Sequence, residues 1–508
     1  MKLGEIRNIL GNAGVSPASA TKTKRSGRAG ETPALPGAER ATRATGDLSE
    51  REPLGYSIDS RSMRAGDLFF AIKGENYDGH KFVEQALRRG ALGAVVTNEF
   101  LSEFDSSAIE ADAWLLPVAD TLASLQAIAA AVRRSWPGRE IAITGSAGKT
   151  STKELTASAL ARIGRVNKTA GNLNNDYGLP LSILKMESDG AHATDFDYAV
   201  LEMGMSQKGE IARLAKIAPP DVGVVTNVAP VHLEFFDSVE AIAAAKAELV
   251  AGIKSGGVAV LNADDDLVAP MRNSRGDIRV RMFGIDRQAD VRARRIEAEG
   301  LGGTRFALQT PRGEVEVRLP LAGRHQVYNA LAAAAVADLF ETPLDAIAAA
   351  LSEASSPRMR GEVLRFAEGF TVVDDSYNSN PLALIEMVGT VAAAEGFDRT
   401  IVVAGEMLEL GPTGAELHRE TGRQIGGLGI DLLIGVRGLA RELIAGARET
   451  GMAALFCETP QEAAEVIARE ARAGDLILVK GSRGVKTEAV VERLKQEFEE
   501  AETRSRRG

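Results

Sequence analysis

Short apolar runs alternate with helix-like segments through the middle of the chain. The runs EIAIT, YAVLEM, VGVVTNV and GVAVLN have the length and the apolar content of buried strands. Helices are predicted at Thr150–Ile163, Gly209–Lys216 and Val239–Gly252, each after one of the first three runs. Strands that alternate with helices indicate βαβ units, and such units predict a parallel sheet with helices on both faces.

The same alternation returns near the C-terminus. FTVVDDS, TIVVAG, DLLIGV and DLILVKG are predicted strands with helices between them, which indicates a second α/β sheet. Between the two regions lie a less regular β-rich piece at Arg279–Leu321, a small-residue helix at NALAAAAVADLF and a hinge-like SSPRMRG.

The N-terminal region is smaller and begins with a predicted helix at Met1–Gly11. Asn12 to about Pro53 has no apolar period and is predicted to be a disordered or loosely attached insertion, with a basic arm for an anionic partner as the alternative. YSIDSRSMRAGDLFFAIKG predicts two strands joined by a tight turn, and KFVEQALRRGALGAVVT predicts a helix that ends at Gly90 and then a strand. A helix at Thr121–Ser135 leads to a linker, WPG.

With 508 residues, the chain is too long for one core and is expected to hold about three domains. The hinge-like segments place these domains at residues 1–136, 137–356 and 357–508, with the insertion inside the first. The predicted fold class is α/β. It comprises a small α/β N-terminal domain, a central parallel-sheet domain with a phosphate loop, and a C-terminal Rossmann-like domain.

Composition and charge exclude some classes of function. The net charge of −10, with acids and bases mixed along the chain, argues against nonspecific nucleic-acid binding. No apolar run is long enough to cross a membrane, and no signal peptide is visible. The single cysteine, Cys457, has apolar neighbours that favour a buried thiol over a nucleophile. A chain that cannot form an internal disulfide fits the cytoplasm.

The segment AITGSAGKTSTKE combines a strand, a glycine-rich turn and a helix that opens with Lys149 and Thr150. Backbone N–H groups of such a loop point at an anion, the lysine supplies a positive charge, and the threonine hydroxyl suits magnesium. Only two residues separate Gly145 from Gly148, where the usual pattern has four before Gly-Lys, so this loop is a shortened variant. A glycine turn before a helix, with a chance Lys-Thr pair, is the alternative.

Three residues farther along the chain are candidates for a nucleotide site. Glu202 ends an apolar run, where open α/β sheets bind ligands, although a surface glutamate is the alternative. His232 follows another apolar run, and a loop histidine with no ligand is the simpler interpretation. Lys246 lies in AAAKAEL, and the residues alone favour an exposed helix lysine.

Several segments together resemble the Mur ligases in sequence and in order. They are GSAGKTSTKE, GNLNNDYGLP, LEMGMSQKGEI, TNVAPVHLEFFDS, GRHQVYNALAAAAVA, DDSYNSNP, GEMLELG and LVKGSRG. SIDSRSMRAGDLFFAIKGENYDGHKF also resembles the uridine-nucleotide domain of that family, so the resemblance runs from about Gly55 to Leu494. DDSYNSNP and the absence of an Asp-Asn-Pro-Arg signature favour the branch that adds D-Ala-D-Ala over the sister that adds meso-diaminopimelate.

The resemblance implies an ATP-dependent amide ligase of peptidoglycan precursor synthesis that works through an acyl phosphate. Its implied cofactors are ATP and two magnesium ions, and its substrates are UDP-MurNAc-tripeptide and D-Ala-D-Ala. It implies neither nucleic acid nor a membrane as a partner, and a monomer is the family expectation. A sister ligase, a folylpolyglutamate synthase, an ATP-hydrolysing switch and a degenerate structural homologue are the alternatives.

The resemblance also implies roles for individual residues. ATP contacts fall on Gly145, Ser146, Ala147, Gly148, Lys149, Thr150, Ser151, Asn329 at adenine, Asp375 at ribose and Arg360. Magnesium contacts fall on Thr150, Glu202, His232 and Lys246, the last carbamylated by CO₂ into a carboxylate-like ligand. The catalytic set is Lys149, Glu202, His232 and Lys246. Substrate contacts fall on Ser60 and Arg61 at the uridine diphosphate, and on Asn172, Asn175, Asn378 and Asn380.

Two features depart from the family pattern. Met205-Ser206-Gln207 stands where the family often shows Ala-Asn-His, and the N-terminal insertion is longer and more basic than expected. The contacts expected at the first of these positions therefore do not transfer to this chain.

Overall fold

The structure, a computed structural model, describes residues 1–12, 50–74, 77–104, 114–230 and 233–499. Most of the predicted insertion, residues 13–49, lies outside the described residues, and so does His232. The chain forms two compact units, which comprise Met1–Ala142, Gly164–Gly204 and Ala212–Asp221 in the first, and Ile143–Ile163, Met205–Ile211 and Val222–Gly508 in the second. The limits of the three domains stay a prediction.

The secondary structure alternates strands and helices, as the hydrophobic pattern predicts. The strands are β1 (Gly55–Ser57), β2 (Asp67–Phe70), β3 (Gly93–Thr97), β4 (Trp114–Val118), β5 (Arg139–Thr144), β6 (Val166–Lys168), β7 (Tyr198–Glu202), β8 (Val222–Val225), β9 (Val258–Asn262), β10 (Arg279–Gly284), β11 (Val291–Ala298), β12 (Thr304–Thr310), β13 (Gly313–Leu319), β14 (Glu362–Arg365), β15 (Thr371–Asp375), β16 (Arg399–Gly405), β17 (Leu432–Val436), β18 (Ala454–Cys457) and β19 (Asp475–Lys480). The helices are α1 (Leu3–Asn12), α2 (Val83–Arg88), α3 (Asn98–Glu103), α4 (Thr121–Ser135), α5 (Lys149–Leu160), α6 (Gly178–Leu184), α7 (Glu210–Ile217), α8 (Val239–Gly252), α9 (Arg324–Leu339), α10 (Leu344–Ser352), α11 (Pro381–Ala392), α12 (Gly414–Gly426), α13 (Ala440–Glu449), α14 (Pro460–Glu470) and α15 (Glu488–Glu497).

The first unit contains a parallel sheet in the order β1-β2-β3-β4. One face of this sheet packs against α2 through a small apolar core that includes Phe69, Val83 and Val96. Strands β6 and β7 of the same unit also pair in parallel.

The prediction of two strands joined by a tight turn in the N-terminal region is wrong in its pairing. Strands β1 and β2 pair in parallel, with Tyr56 opposite Leu68. A tight turn can join only antiparallel neighbours, because parallel strands need a connection that carries the chain back to the same end. Here residues 58–66 provide that connection as a series of turns rather than as a helix.

The second unit contains two sheets, and the one that follows the phosphate loop begins with parallel strands. Strands β8, β9, β10 and β11 pair in parallel, and β12 and β13 extend this sheet as antiparallel strands. The end of β5 lies beside β8, since the N–H of Thr226 donates to the carbonyl of Thr144 at 3.0 Å. The predicted β-rich piece at Arg279–Leu321 is therefore an extension of the central sheet.

Helix α9 belongs to this part of the second unit and is buried on every face. Every residue from Asn329 to Asp338 is buried, and most of them are alanines. A helix covered all round belongs to the interior of a protein. Its small side chains allow α5, which follows the phosphate loop, to pack closely against it.

The other sheet of the second unit has the order β14-β15-β19-β16-β17-β18. All its strands are parallel except β14, and apolar cores cover both faces. This confirms the predicted second α/β sheet, and Cys457 is buried in one of the cores, as predicted. Strand β19, the last along the chain, lies between β15 and β16, so the carboxyl ends of these three strands form a switch point where open α/β sheets bind ligands.

Candidate active site

The phosphate loop of the second unit joins β5 to α5. Gly148 has φ +80° and caps the helix, and Gly145 has φ +152°, so both occupy backbone conformations that favour glycine. The Lys149 ammonium lies over the loop, 2.8 Å from the carbonyl oxygen of Gly145. The first backbone N–H groups of a helix have no acceptor within the helix, so the start of α5 is the kind of place where proteins bind anions.

Residues 226–229, which we call the clamp segment, come directly after β8 and bind this loop. The Thr226 hydroxyl donates to the carbonyl of Ala147 at 2.7 Å, and the N–H of Ala147 donates to the Asn227 side chain at 2.9 Å. The N–H of Ser146 donates to the carbonyl of Asn227 at 3.0 Å. Because the clamp segment takes these two N–H groups, anion binding falls to the end of the loop and the first turn of α5. Neither Thr226 nor Asn227 was predicted as a site residue, although both lie in the motif TNVAPVHLEFFDS.

Replacing Gly148 by alanine is expected to remove most nucleotide binding. A Cβ atom there would lie 2.2 Å from the Asn329 side-chain oxygen, whereas Gly256, with φ +76°, has nothing within 4 Å of such an atom. Both Gly→Ala changes carry the strain of a left-handed residue, about 1–2 kcal/mol. Calorimetric titration with an ATP analogue should show lost binding only for Gly148→Ala. Equal loss in Gly256→Ala, or wild-type affinity in Gly148→Ala, would contradict the close fit at the loop.

Asn329 lies on α9 against the phosphate loop. Its side-chain oxygen accepts a hydrogen bond from the Thr152 hydroxyl at 3.2 Å, and its amide donates to Gln326 at 3.0 Å. These contacts fix the side chain beside Gly148. The predicted contact of Asn329 with adenine stays a prediction.

Lys246 is buried within α8, with 2% of its surface exposed, so the interpretation as an exposed helix lysine is wrong. Ala243, Ala245 and Leu249 of the same helix are buried with it. Burial lowers the pKa of Lys246 well below its usual value, and the positive charge of Lys149 lowers it further. The structure therefore brings Lys246 into the electrostatic reach of the phosphate-loop lysine.

The carboxyl ends of β15 and β19 carry an ion pair between Asp375 and Lys480, at 2.6 Å. Lys480 also donates to the backbone carbonyl of Asn378 at 3.0 Å, so it holds the turn after β15. His325, at the start of α9, lies within the electrostatic influence of both charges. Its pKa is lowered to about 4, chiefly by burial; the Asp375 carboxylate opposes this shift, and the Lys480 ammonium adds to it. Asp375 was a predicted site residue, whereas Lys480 was not, although it lies in the family motif LVKGSRG.

The other predicted residues of this sheet have local contacts. The Arg360 guanidinium stacks on the Tyr377 ring, with 4.0 Å between its central carbon and the ring centroid. Asn378 is exposed, whereas Asn380 caps α11, where its side-chain oxygen accepts the N–H of Ala383 at 2.9 Å. The substrate contacts of both asparagines stay predictions.

In the first unit, Glu202 ends β7 and is 2% exposed. The amide of Asn174 donates to its carboxylate at 2.8 Å, and the N–H of Glu202 donates to the Thr169 hydroxyl at 3.0 Å. Asn174 was not a predicted site residue, whereas its exposed neighbours Asn172 and Asn175 were. The side chain of Asn175 instead accepts N–H groups at the start of α6.

Ser60 and Arg61, the residues predicted at the uridine diphosphate, differ in solvent exposure. The Ser60 hydroxyl is buried and donates to Gln85 at 2.9 Å. The Arg61 side chain is 84% exposed and pairs with Asp59 at 2.8 Å, and its hydrogen bonds lower the pKa of that carboxyl. Of the two side chains, only Arg61 presents its polar group to solvent.

Three family models match the chain. Their descriptions are "Mur ligase family, catalytic domain" at residues 54–133, "Mur ligase middle domain" at residues 143–337 and "Mur ligase, glutamate ligase domain" at residues 359–483. Together they cover the sheet of β1 to β4, the phosphate loop with α8 and α9, and the C-terminal sheet.

Curated and solved relatives agree with these matches. The UDP-N-acetylmuramoyl-tripeptide–D-alanyl-D-alanine ligase of Escherichia coli (strain K12) is 36% identical over 442 residues, which is 87% of this chain and 93% of that ligase. A crystal structure of MurF from Acinetobacter baumannii has 33% identity and a TM-score of 0.76, and covers 87% of this chain and 93% of that one. The MurF ligase of Thermotoga maritima, solved in complex with ADP, has 29% identity and a TM-score of 0.72, with 87% and 97% covered. The α/β fold of this chain therefore matches the three-domain fold of these ligases.

Proposed function

The chain belongs to the Mur ligase family, and from this premise we propose that it joins D-alanyl-D-alanine to UDP-N-acetylmuramoyl-tripeptide with ATP as the energy source. It is an ATP-dependent peptide ligase of peptidoglycan synthesis. The observation that carries the assignment is the match to the Escherichia coli ligase over 93% of its length. The assignment is supported by the phosphate loop, where the Lys149 ammonium lies over the loop and its charge acts on the buried Lys246.

The reaction proceeds in two chemical steps. The carboxylate of the tripeptide attacks the γ-phosphorus of ATP, which gives an acyl phosphate and ADP. The amine of D-Ala-D-Ala then attacks the acyl carbon, a proton leaves the nitrogen, and inorganic phosphate departs. Phosphoryl transfer depends on positioning and on neutralised charge. Lys149 and the N–H groups at the start of α5 supply both to the phosphates.

The chemistry of two proposed ligands suits magnesium, since Thr150 carries a hydroxyl oxygen and Glu202 a carboxylate. No group of three or more His, Cys, Asp or Glu side chains in the described ranges, which omit His232, lies close enough to hold a metal. Magnesium is held in sites of this kind by few protein oxygens together with phosphate oxygens. Thr150 and Glu202 are the proposed oxygen ligands, and His232 is a further proposed ligand. A bound magnesium would neutralise phosphate charge.

Carbamylation of Lys246 is part of this proposal. CO₂ reacts with a neutral amine, and burial lowers the pKa of Lys246, which favours that neutral form. The product is an oxygen anion at the end of a buried side chain, and such a group needs a cation partner. A carbamylated Lys246 would therefore serve as a magnesium ligand, which an ammonium group cannot do.

Release of phosphate from ATP tests the function. The purified protein is expected to release phosphate only when UDP-MurNAc-tripeptide and D-Ala-D-Ala are both present, and mass spectrometry should detect the pentapeptide product. Glycine or meso-diaminopimelate in place of the dipeptide provides the control for amine specificity. Release with ATP alone would instead favour an ATP-hydrolysing switch.

The proposal places the reaction in the cytoplasm, where ATP and nucleotide sugars are made. Within the ranges that the structure describes, no helix combines the length and the apolar character required to span a bilayer. A monomer remains the expected state.

A further inference from the structure

The clamp segment is itself held from its other side by the end of β9. The side-chain amide of Asn262 donates to the carbonyl of Thr226 at 3.0 Å. The carboxylate of Asp265 accepts the N–H of Val228 at 2.8 Å. The clamp segment thus lies between the phosphate loop on one side and the β9 end on the other, and its backbone is hydrogen-bonded to both.

Asp265 is well suited to anchor the clamp segment. While one carboxylate oxygen binds Val228, the other accepts the N–H groups of Leu267 at 2.9 Å and Val268 at 3.0 Å. Val268 is fully buried in an apolar cluster under the sheet. Hydrogen bonds to an ionised carboxylate are stronger than those between neutral groups, so this side chain has a fixed orientation. A fixed acceptor determines the position of the backbone that it binds.

The two neighbouring aspartates are used differently. Asp264 accepts the N–H groups of Ile285 and Arg287 and the hydroxyl of Tyr328 at 2.9 Å, so it holds a turn and the start of α9. Asp266 is exposed and pairs with Arg287 on the surface. Among the hydrogen bonds of the described residues, Asp265 is the one of these three consecutive acids whose side chain reaches the clamp segment, and this difference provides a built-in control.

We propose that Asp265 and Asn262 are positioning residues for the phosphate loop. They contact the clamp segment and act through it on Ser146 and Ala147, and so on the backbone N–H groups at the start of α5. The proposal rests on the proposed binding of ATP at this loop. Small displacements matter here, because a shift of about 1 Å in a catalytic group can cost about 100-fold in rate.

Three variants test the proposal: Asp265→Ala, Asp265→Asn and Asp266→Ala. Asp265→Ala is expected to lower kcat/KM for ATP by about 100-fold and to weaken binding of an ATP analogue, with the KM for D-Ala-D-Ala unchanged. Asp265→Asn keeps one oxygen that can accept the N–H of Val228, so it should recover about tenfold of the loss. Asp266→Ala should match the wild-type protein in both measurements.

The melting temperature of each variant separates positioning from stability. An Asp265→Ala protein that melts earlier but keeps wild-type analogue affinity and wild-type KM for ATP would overturn the proposal. If Asp265→Ala does not fold, the same measurements are made on Asn262→Ala and Asp265→Asn. Wild-type nucleotide affinity in both of these variants would also overturn the proposal. Failure of the proposed ATP site is distinguishable, because the wild-type protein would then bind no ATP analogue, and failure of the proposed ligase reaction would show as absence of the pentapeptide product in the wild-type protein.

Discussion

Replacing Lys149 by alanine is expected to abolish turnover. The Lys149 ammonium lies over the phosphate loop, 2.8 Å from the carbonyl of Gly145. In the proposed mechanism it is the point charge that meets the transferring phosphoryl group. Loss of a cation that stabilises a phosphoryl-transfer transition state costs about 1,000-fold or more in rate. Phosphate release in the presence of both substrates is the measurement.

Two further variants sharpen this test of Lys149. Lys149→Arg keeps the charge but replaces a compact ammonium by a planar guanidinium, so it should restore little activity. Lys185→Ala removes an exposed lysine of the first unit and should leave turnover unchanged. Near-normal rates in Lys149→Ala would remove the phosphate loop from the mechanism.

Lys246→Ala is expected to lose activity by about 100-fold or more, the scale of removing one electrostatic contact at a reacting centre. If the lysine acts as a carbamate, the space left by its side chain can admit a small carboxylate in the same place. Added formate or acetate should therefore restore part of the activity. Phosphate release at increasing carboxylate concentration measures this rescue.

Lys246→Met provides the matched control for that rescue. Methionine fills much of the buried volume of the lysine side chain, which is 2% exposed, but leaves no room for an added anion. It should be as inactive as the alanine variant and should not respond to formate. Absence of rescue in Lys246→Ala, or equal rescue in Lys246→Met, would argue against the carbamate.

Elements whose ends are set by local chemistry were predicted correctly from the sequence. Helices α4 and α8 have the predicted bounds, because side chains just before them act as caps. Asp120 accepts the N–H groups of Leu122 and Ala123, and Ser238 accepts that of Ala241. Short apolar runs were likewise sufficient for most parallel strands of the two larger sheets, since a buried parallel strand is such a run. The short strands β6, β14 and β18 were not predicted.

Features that depend on distant parts of the chain were not predictable in this way. Strand β8 ends at Val225, three residues before the predicted end, because the following residues bind the phosphate loop instead of continuing the sheet. Likewise, nothing in GNLNND shows that Asn174 rather than its neighbours meets Glu202, since the fold decides which of three asparagines points inward. The burial of Lys246 also depends on the elements that cover α8.

The burial of α9 from Asn329 to Asp338 has a consequence for how this helix can change during evolution. Since none of its faces meets solvent from Asn329 to Asp338, a larger side chain there has no direction in which to expand. One inserted or deleted residue would rotate everything beyond it by about 100°. A change before Asn329 would turn that side chain away from Gly148. It would also turn the buried alanines toward different neighbours. The number of residues in α9 is therefore constrained as strongly as their identity.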